Sequence, residues 1–584
     1  MQLIIGSLFT FLLGLALTLA VRALAHRLGA VAKPRTDRWH QKPTAMLGGV
    51  AIYSAFTLGW LVFAPKTSNA LPVLGASAAL FVIGLIDDLR PLKPYIRLVA
   101  QLMLAAMVVY SGLKLPWTGY EIVNDLITIF WLTGITNAIN LLDNMDGLAG
   151  GISLISCVFL LVTFLMSGQP DAAIIPALLG GACLGFLVFN FNPASIFMGD
   201  CGSTFLGFAL GGTALLSDYG RTRNLTAVLF TPVLILMIPI LDTCLVTVTR
   251  KLAGRSVSQG GRDHTSHRLV ALGMSERRAV MMLYLFAAVS GSLALMVRWL
   301  NLEVILLVIP GFALIVLFVG MYLGMVRVYE EGAQPAGNAI IRGLWDFSYK
   351  RRIFEVLLDA VLVVMAYYGA YLLRFDGNLP KEQLEVVMKT LPLVIVLQMP
   401  FLLVGGVYRG MWRYTGISDL VTIAKSVALA TSFSAVVVLV LYHFRGPSRG
   451  ASILNGVLLL CLMALTRLSF RLMRTLVEGR AKFHPDARPV LIYGAGDSGE
   501  MLIREILNNP DHRYRPVGFV DDDYRKRGKV IHGYRIFDVG EMPDVIRQHG
   551  VNEVLISSFK IPDNILEDLR SLGVSPRKMS IRFE

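Results

Sequence analysis

The chain reads as a polytopic α-helical membrane protein of about eleven plus four transmembrane helices, with a C-terminal cytoplasmic α/β domain. Three observations predict this. Of 584 residues, 55% are hydrophobic and 16% charged, with a mean hydropathy of +0.62, outside the range of soluble domains of this length. Apolar stretches long enough to span a bilayer recur along the chain. Past about residue 485 they stop, and short β-rich runs alternate with helical ones.

The apolar stretches fall at about 3–25, 46–64, 71–87, 98–112, 122–140, 150–167, 172–190, 203–217, 224–248, 280–298 and 303–325. A polar connector, EEGAQPAGNAIIRGLWDFSYKRR, precedes four more at about 352–373, 388–407, 424–443 and 451–470. This divides the chain into a membrane domain over 1–330, a cytoplasmic connector over 331–350, a four-helix transmembrane module over 351–475 and an α/β domain over 485–584. The start, MQLIIGSLFTFLLGLALTLAVRALA, lacks a basic segment and a small-residue cleavage site, so it reads as a retained first span. Cys157, Cys183, Cys201, Cys244 and Cys461 show no paired spacing and read as small core hydrophobes.

The loop HRLGAVAKPRTDRWHQK is rich in Lys and Arg and is therefore expected in the cytoplasm. Counting alternate sides places the loops at 88–97, 137–149, 190–203 and 249–279 there too, and together they hold most of the basic loop residues. The same parity puts the connector, the GVYRGMWRYTGISD loop and the α/β domain inside. The net charge of +14 points to anionic membrane lipids and not to nucleic acid, because no basic patch carries interleaved aromatics.

Carboxylates and amides gather on these same-side loops. GLIDDLR supplies Asp87 and Asp88; NAINLLDNMDGLAGG supplies Asn137, Asn140, Asp143 and Asp146; FNFNPASIFMGDCGS supplies Asn190, Asn192 and Asp200. A charge at bilayer depth costs several kcal/mol, so such residues need water, a cation or a task. A set of oxygen donors suits Mg²⁺, with Mn²⁺ the other hard divalent ion it would accept. Basic groups flank it: Lys42 beside Thr44 in the PTAMLGG run, then Arg90, Lys93 and Arg97, then Arg262, His264, His267 and Arg268 in RDHTSHRL. Cations beside carboxylates are what a doubly phosphorylated substrate requires. Alone, an Asp pair at a helix end is ordinarily a solvated boundary, and HxxH an ordinary polar loop. Neither explains four such motifs in order on one side. A transporter would place its carboxylates near the midplane, whereas these fall at span ends. A non-catalytic scaffold would not need the full set.

On GLIDDLR, NAINLLDNMDGLAGG, NPASIFMGDCGS, the PILDTCLVTVTR segment with Asp242, and DHTSHRL, residues 1–325 resemble the polyprenyl-phosphate N-acetylhexosamine-1-phosphate transferase family. The resemblance implies Mg²⁺-dependent transfer of a sugar-1-phosphate from a UDP-N-acetylhexosamine to undecaprenyl phosphate. UMP is released at the cytoplasmic face of a bacterial inner membrane, and a cell-envelope glycan begins. It further implies that Asp200 holds the metal together with Asn140, that Asp87 sits nearest the lipid phosphate, and that Asp88 supports the metal and diphosphate region. Asp143 and Asp146 would orient the nucleotide-sugar, while His264, His267 and Arg268 would contact its diphosphate or sugar. Lys42, Thr44, Lys93, Arg97, Asn137 and Asn192 are the expected substrate-binding residues, and a homodimer is the expected assembly. Relatives usually carry PTPRxGG where this chain has PTAMLGG, with Ala45 and Met46 in place of a proline and an arginine.

In the second half, RPVLIYGAGDSGEMLIREIL gives a strand, a glycine turn at Gly494, Gly496 and Gly499, and a helix. This is the nucleotide-binding pattern, in which a pyrophosphate reaches a helix N-terminus. Asp521, the first of the acidic run to Asp523, lies where an acid could meet a ribose, though a loop face explains it equally well; NAD or a nucleotide-sugar is the candidate ligand of a Rossmann-like domain. The region resembles the N-terminal part of membrane-bound nucleotide-sugar 4,6-dehydratases of the capsule type. No Tyr-xxx-Lys pair follows the glycine turn, so a regulatory or scaffolding module is expected.

Overall fold

Backbone N–H and C=O groups inside a bilayer have no water to bond, so apolar stretches fold there as helices. The computed structural model describes residues 1–32, 43–63, 65, 69–217, 225–252, 254–256, 261–324, 326, 347–408, 416–443, 446–478, 487–508, 512–557 and 562–578. They separate into two units, Met1–Arg471 and Leu472–Glu584.

The first unit begins with α1 (Gln2–Leu28), the short antiparallel strands β1 (Val31–Ala32) and β2 (Thr44–Ala45), and α2 (Gly48–Phe63). There follow α3 (Leu71–Leu89), α4 (Pro94–Tyr110), α5 (Glu121–Leu142), α6 (Leu148–Met166), α7 (Pro170–Asn190) and α8 (Gly199–Leu215). Next come α9 (Leu225–Ile235), α10 (Met237–Leu252), the short α11 (Thr265–Ala271), α12 (Glu276–Met296) and α13 (Leu302–Gly324). The second module is α14 (Phe347–Arg374), α15 (Lys381–Val404), α16 (Ile417–Leu441) and α17 (Arg449–Glu478).

All fifteen apolar stretches fall on helices, but length divides them. Among the described residues, eleven helices are long and apolar enough to cross a membrane, and α9 with α10, bent by 76°, would make twelve. The others, α2, α4 and α8, have 16, 17 and 17 residues. At 1.5 Å per residue these reach about 25 Å, short of a hydrocarbon core of about 30 Å. Hydropathy marks them as apolar without revealing where each helix stops.

At the centre stands α8, buried at every residue from Cys201 to Leu215. Small residues let its neighbours close in, as membrane helices require: Gly207 abuts Thr136 of α5, and Gly202 abuts Gly49 of α2. In the second module a core of Leu362, Val363, Tyr371, Val394, Leu459 and Met463 is flanked by Leu307, Leu314 and Phe318 of α13. Inside that core, Asp359 of α14 and Arg467 of α17 pair at 2.7 Å with side chains 0% and 2% exposed. Cys157, Cys183 and Cys201 are buried as expected, but Cys244 and Cys461 are exposed on helix surfaces. In a chain with lipid-facing helices an apolar residue need not be a core residue.

The second unit is a six-stranded sheet with strand order β5-β6-β4-β3-β7-β8, built from β3 (Arg488–Tyr493), β4 (Tyr514–Asp521), β5 (Val530–Ile531), β6 (Tyr534–Asp538), β7 (Glu553–Ile556) and β8 (Ser575–Lys578). All pairings are parallel except β5 with β6. Helices α18 (Asp497–Asn508), α19 (Met542–His549) and α20 (Asp563–Ser571) connect the strands. Side chains alternate across β3: Val490 and Ile492 join Leu502 and Ile503 of α18 on one face, while Leu491 and Tyr493 join Val545 and Leu569 of α19 and α20 on the other. The sheet is thus covered on both faces, which parallel sheets require.

The buried ion pair of the second module makes a stability prediction. Arg467→Met strands a carboxylate in an apolar interior and is expected to cost about 3–5 kcal/mol. Asp359→Leu combined with Arg467→Met should recover most of that loss. Thermal unfolding of the purified protein in detergent measures both.

Candidate active site

The site begins with a close approach. A Cβ built on Gly84 of α3 would lie 2.6 Å from Cys201 Cα and 2.7 Å from the Asp200 carbonyl oxygen. Only glycine there lets the last turn of α3 stand directly against the first turn of α8. Asp88 uses the opportunity: Oδ1 accepts the Asp200 N–H at 2.8 Å and Oδ2 the Cys201 N–H at 2.9 Å. These are first-turn N–H groups that α8 cannot satisfy internally. Gly199, at φ +79°, has a backbone that other L-residues avoid, and a Cβ there would sit 2.7 Å from Asp88 Oδ2. Asp88 therefore supports the site through the backbone, by fixing where Asp200 stands.

Its neighbour Asp87, 8% exposed, accepts the Leu92 N–H at 2.5 Å and pairs with Arg97 Nη1 at 2.7 Å. The same guanidinium nitrogen reaches Asp200 Oδ2 at 3.0 Å. Asn140 Nδ2 donates to Asp200 Oδ1 and to Ser203 Oγ, both at 2.8 Å. One turn earlier on α5, Asn137 donates to Gln101 Oε1 at 2.7 Å. Residues from the ends of α4 and α5 thus meet Asp200 at the start of α8, and its side chain is 37% exposed. Lys93 stands exposed just before α4. Ser203 was not anticipated, although its position three residues after Asp200 puts both on one helix face.

Among the described residues, no three His, Cys, Asp or Glu side chains gather as a metal cage. Mg²⁺ rarely uses one: it keeps waters and takes one or two carboxylates plus substrate phosphates. The donor chemistry fits that pattern, with an exposed carboxylate at Asp200, an amide oxygen on Asn140, and one guanidinium bonded to two of three neighbouring carboxylates.

A second group of residues surrounds α11. Asp143 follows α5, its N–H bonded to the Asn140 carbonyl at 3.3 Å. Beside it, Asn144 Oδ1 accepts Ser266 Oγ–H at 2.6 Å, tying the NLLDNMDG turn to the HTSHR helix. Asp146 Oδ2 accepts the Ala194 N–H at 2.9 Å and Asn192 Nδ2 at 3.3 Å, and Asn192 also donates to Glu276 at 3.1 Å. Asn190 Oδ1 accepts the Gly147 N–H at 3.1 Å. Asp146, Asn190 and Asn192 accordingly brace one loop against another. The Asn144–Ser266 bridge has no sequence signature, since it joins residues 122 positions apart.

Just before α11, Asp263 is buried and bonded to Arg250 of α10 through two contacts of 2.7 Å. Arg268, 3% exposed, donates from Nε to the Asp263 carbonyl at 2.7 Å. Its Nη1 donates to the carbonyls of Leu323, Gly324 and Val326 at 2.9, 3.2 and 3.1 Å, which satisfies the open C-terminal end of α13. Its guanidinium, a candidate substrate contact from sequence, thus also clamps backbone, and Nη2 donates to Thr249 Oγ1 at 3.1 Å. His264 Nδ1 lies 2.8 Å from Asp242 Oδ2. The His267 ring centroid lies 5.8 Å from that of His264; burial, then the neighbouring His264, pushes the His267 pKa down to about 4. His267 is therefore neutral at pH 7, suited to a sugar or base contact.

Lys42 lies outside the described residues. Thr44 is buried in β2, and the rest of PTAMLGG pairs with the FMGD loop by backbone: Phe197 N–H to Ala45 O at 2.8 Å, Gly48 N–H to Phe197 O at 2.9 Å, and Gly49 N–H to Met198 O at 2.8 Å. Ala45, 0% exposed, fills this seam as a small residue.

In the second unit, Gly494 adopts φ +101° and its N–H bonds Val520 O at 2.8 Å. A Cβ on Gly499 would strike the Gly494 carbonyl, whereas Gly496 has open space. Asp521 Oδ2 accepts the Ala495 N–H at 2.6 Å and pairs with Lys526 at 3.0 Å, while Oδ1 accepts the Asp523 N–H at 2.9 Å. Burial pushes this carboxyl up, but those N–H groups and Lys526 outweigh it and hold it below the usual range. Both oxygens are thus engaged within the domain. Asp497 and Glu500 occupy the first turn of α18, where a bound pyrophosphate would meet their negative charge.

The family model described as glycosyl transferase family 4 matches residues 70–218, and that of a CoA-binding domain matches residues 404–565. The chain is 32% identical to a probable undecaprenyl-phosphate N-acetylglucosaminyl 1-phosphate transferase of Bacillus subtilis, over 53% of this chain and 89% of that protein. It is 34% identical to a decaprenyl-phosphate N-acetylglucosaminephosphotransferase of Mycolicibacterium smegmatis, over 54% and 86%. It is 27% identical to the undecaprenyl-phosphate alpha-N-acetylglucosaminyl 1-phosphate transferase of Escherichia coli K12, over 51% and 83%. These similarities span about half of the chain.

Two measurements test the geometry. Gly199→Ala forces both a left-handed alanine, at about 1–2 kcal/mol, and a clash with Asp88. Its melting temperature should fall, and its activity should drop about tenfold or more as Asp200 is displaced. For His267, the unfolded state binds a proton near pH 6.5 and the folded state only near 4. The stability from keeping it neutral is fully present above pH 6.5 and lost as pH falls toward 4, about 3 kcal/mol in all. His267→Gln should therefore flatten the melting-temperature profile between pH 6.5 and 4.

Proposed function

Because the chain belongs to glycosyl transferase family 4, we propose that residues 1–330 transfer N-acetylhexosamine-1-phosphate from a UDP-sugar to undecaprenyl phosphate, releasing UMP. The reaction takes place at the cytoplasmic face of a bacterial inner membrane and starts a cell-envelope glycan. The observation that carries this reading is the meeting of Asp87, Arg97, Asn140 and Asp200, from the ends of four separate helices, around one partly exposed carboxylate.

The chemistry is phosphoryl transfer, where alignment and charge neutralisation supply the rate. An oxygen of the lipid phosphate attacks the β-phosphorus in line. The bond from that phosphorus to the bridging oxygen breaks, and UMP leaves with the electron pair. A phosphate monoester is largely ionised near pH 7, so Asp87 has little need to act as a base. Its role is to hold Arg97 at the phosphate position. Asp200 and the Asn140 oxygen would hold Mg²⁺, which when bound neutralises charge on the diphosphate and on departing UMP. Asp88 keeps α8 in register, Asp143 borders the nucleotide-sugar, and His264 and His267 contact its diphosphate or sugar. Asp146, Asn192 and Arg268 hold the loops that shape the pocket.

The four-helix module and the α/β domain serve as a regulatory or scaffolding region. The engagement of Asp521 within its own turn, and the acids at the start of α18, favour scaffolding over nucleotide sensing.

Purified protein incubated with undecaprenyl phosphate, Mg²⁺ and a panel of UDP-sugars should release UMP with at least one UDP-N-acetylhexosamine. Asp200→Asn should lower the rate by about 10²–10³-fold or more, while Asp87→Asn leaves a measurable remainder at raised pH. A fully active Asp200→Asn variant would refute the metal assignment.

A further inference from the structure

One buried carboxylate near the site has no part in the mechanism above. Asp242, on α10 in the run PILDT, is 1% exposed. Its Oδ2 lies 2.8 Å from His264 Nδ1, and its Oδ1 accepts the Thr265 N–H at 2.6 Å. A carboxylate fully removed from water is costly unless each oxygen is bonded, and here both are. The two partners are consecutive residues, so a single side chain fixes the ring and the backbone it hangs from.

We propose that Asp242 is the positioning residue of His264, setting which ring nitrogen faces the nucleotide-sugar; this rests on the reading of His264 as a substrate contact. A carboxylate can only accept, so the proton at their shared contact sits on Nδ1. Nε2 is then the nitrogen left for substrate. Holding the other end of an imidazole by a carboxylate is how proteins fix ring orientation and strengthen its interaction with a ligand. The surroundings keep this contact rigid. The Arg250–Asp263 pair closes the residue before His264, Ser266 is tied to Asn144, and Arg268 anchors the same short helix to the end of α13. The placement needs α10 to begin anew after the 76° bend from α9, since Asp242 lies six residues into the second segment.

A purely structural role is the rival, because Asp242 also satisfies the Thr265 N–H. Asp242→Asn separates the two. The amide oxygen still accepts from Thr265, but the amide nitrogen donates toward Nδ1 and reverses the ring's protonation. The assay is UMP release by the full-length protein, with folding followed by thermal unfolding. Asp242→Asn should fold and lose about 10–100-fold in kcat, with KM for undecaprenyl phosphate unchanged. In a His264→Gln background the same substitution should cost nothing further, because residues acting through one another are non-additive. Asp242→Glu, which keeps the anionic acceptor one methylene further out, should fall between wild type and Asp242→Asn, and it carries the same cycle if the Asn variant folds poorly. Additive losses, or an Asp242→Asn enzyme at wild-type kcat, would overturn the inference alone. A fully active His264→Gln variant would instead overturn the reading of His264, and the inference with it.

Discussion

The site depends on one carboxylate bonded to two backbone N–H groups. Asp88 ends α3 by capping the start of α8, and that pair of bonds fixes the distance and rotation between the helices. Asp200 is the first acidic residue of α8, so its position follows from a bond it does not itself make through its side chain. The contact exists only because Gly84 and Gly199 carry no Cβ. Two glycines and one aspartate thus convert a helix junction into a placed carboxylate.

From that junction polar contacts spread outward in a chain. Arg97 links Asp200 to Asp87, Asn140 links it to α5, and the turn after α5 reaches α11 through Asn144 and Ser266. Most of these links join helix ends distant in sequence and are partly shielded from bulk water, where a bonded polar group is strong and an unbonded one costly. The ends of α3, α5 and α8 consequently lie together at one end of the bundle. Burial, then the neighbouring Asp87, pushes the Asp200 carboxyl up to about 6, and Asn140 and Arg97 oppose that shift.

The remainder of the chain is built on other interactions. Its four-helix module buries an ion pair between α14 and α17, where losing one partner costs far more than the pair itself contributes. Its α/β domain has two apolar faces that follow from alternation along a single strand, β3. The glycine turn keeps the close packing of a nucleotide-binding loop, yet Asp521 is spent on that turn's own backbone.

The apolar stretches, the switch to alternating β runs near residue 485 and the clustering of Asp and Asn at span ends were all legible in the sequence, because hydropathy and period depend on neighbours along the chain. Motif residues such as Asp87, Asn140 and Asp200 were legible for the same reason, as short patterns of chemistry. Helix lengths, the 76° break between α9 and α10, and the partners of each polar side chain were decided only by the tertiary structure. Sequence marked Arg268, Asp146 and Asn192 as candidate site residues, and the structure adds that Arg268 bonds the end of α13 while Asp146 and Asn192 join one loop to another; Asp242 is an acid in an apolar run until folding sets it against His264. A sequence states which groups can bond, but a bond needs two groups within about 3 Å, and that proximity between distant residues exists only once the helices have packed.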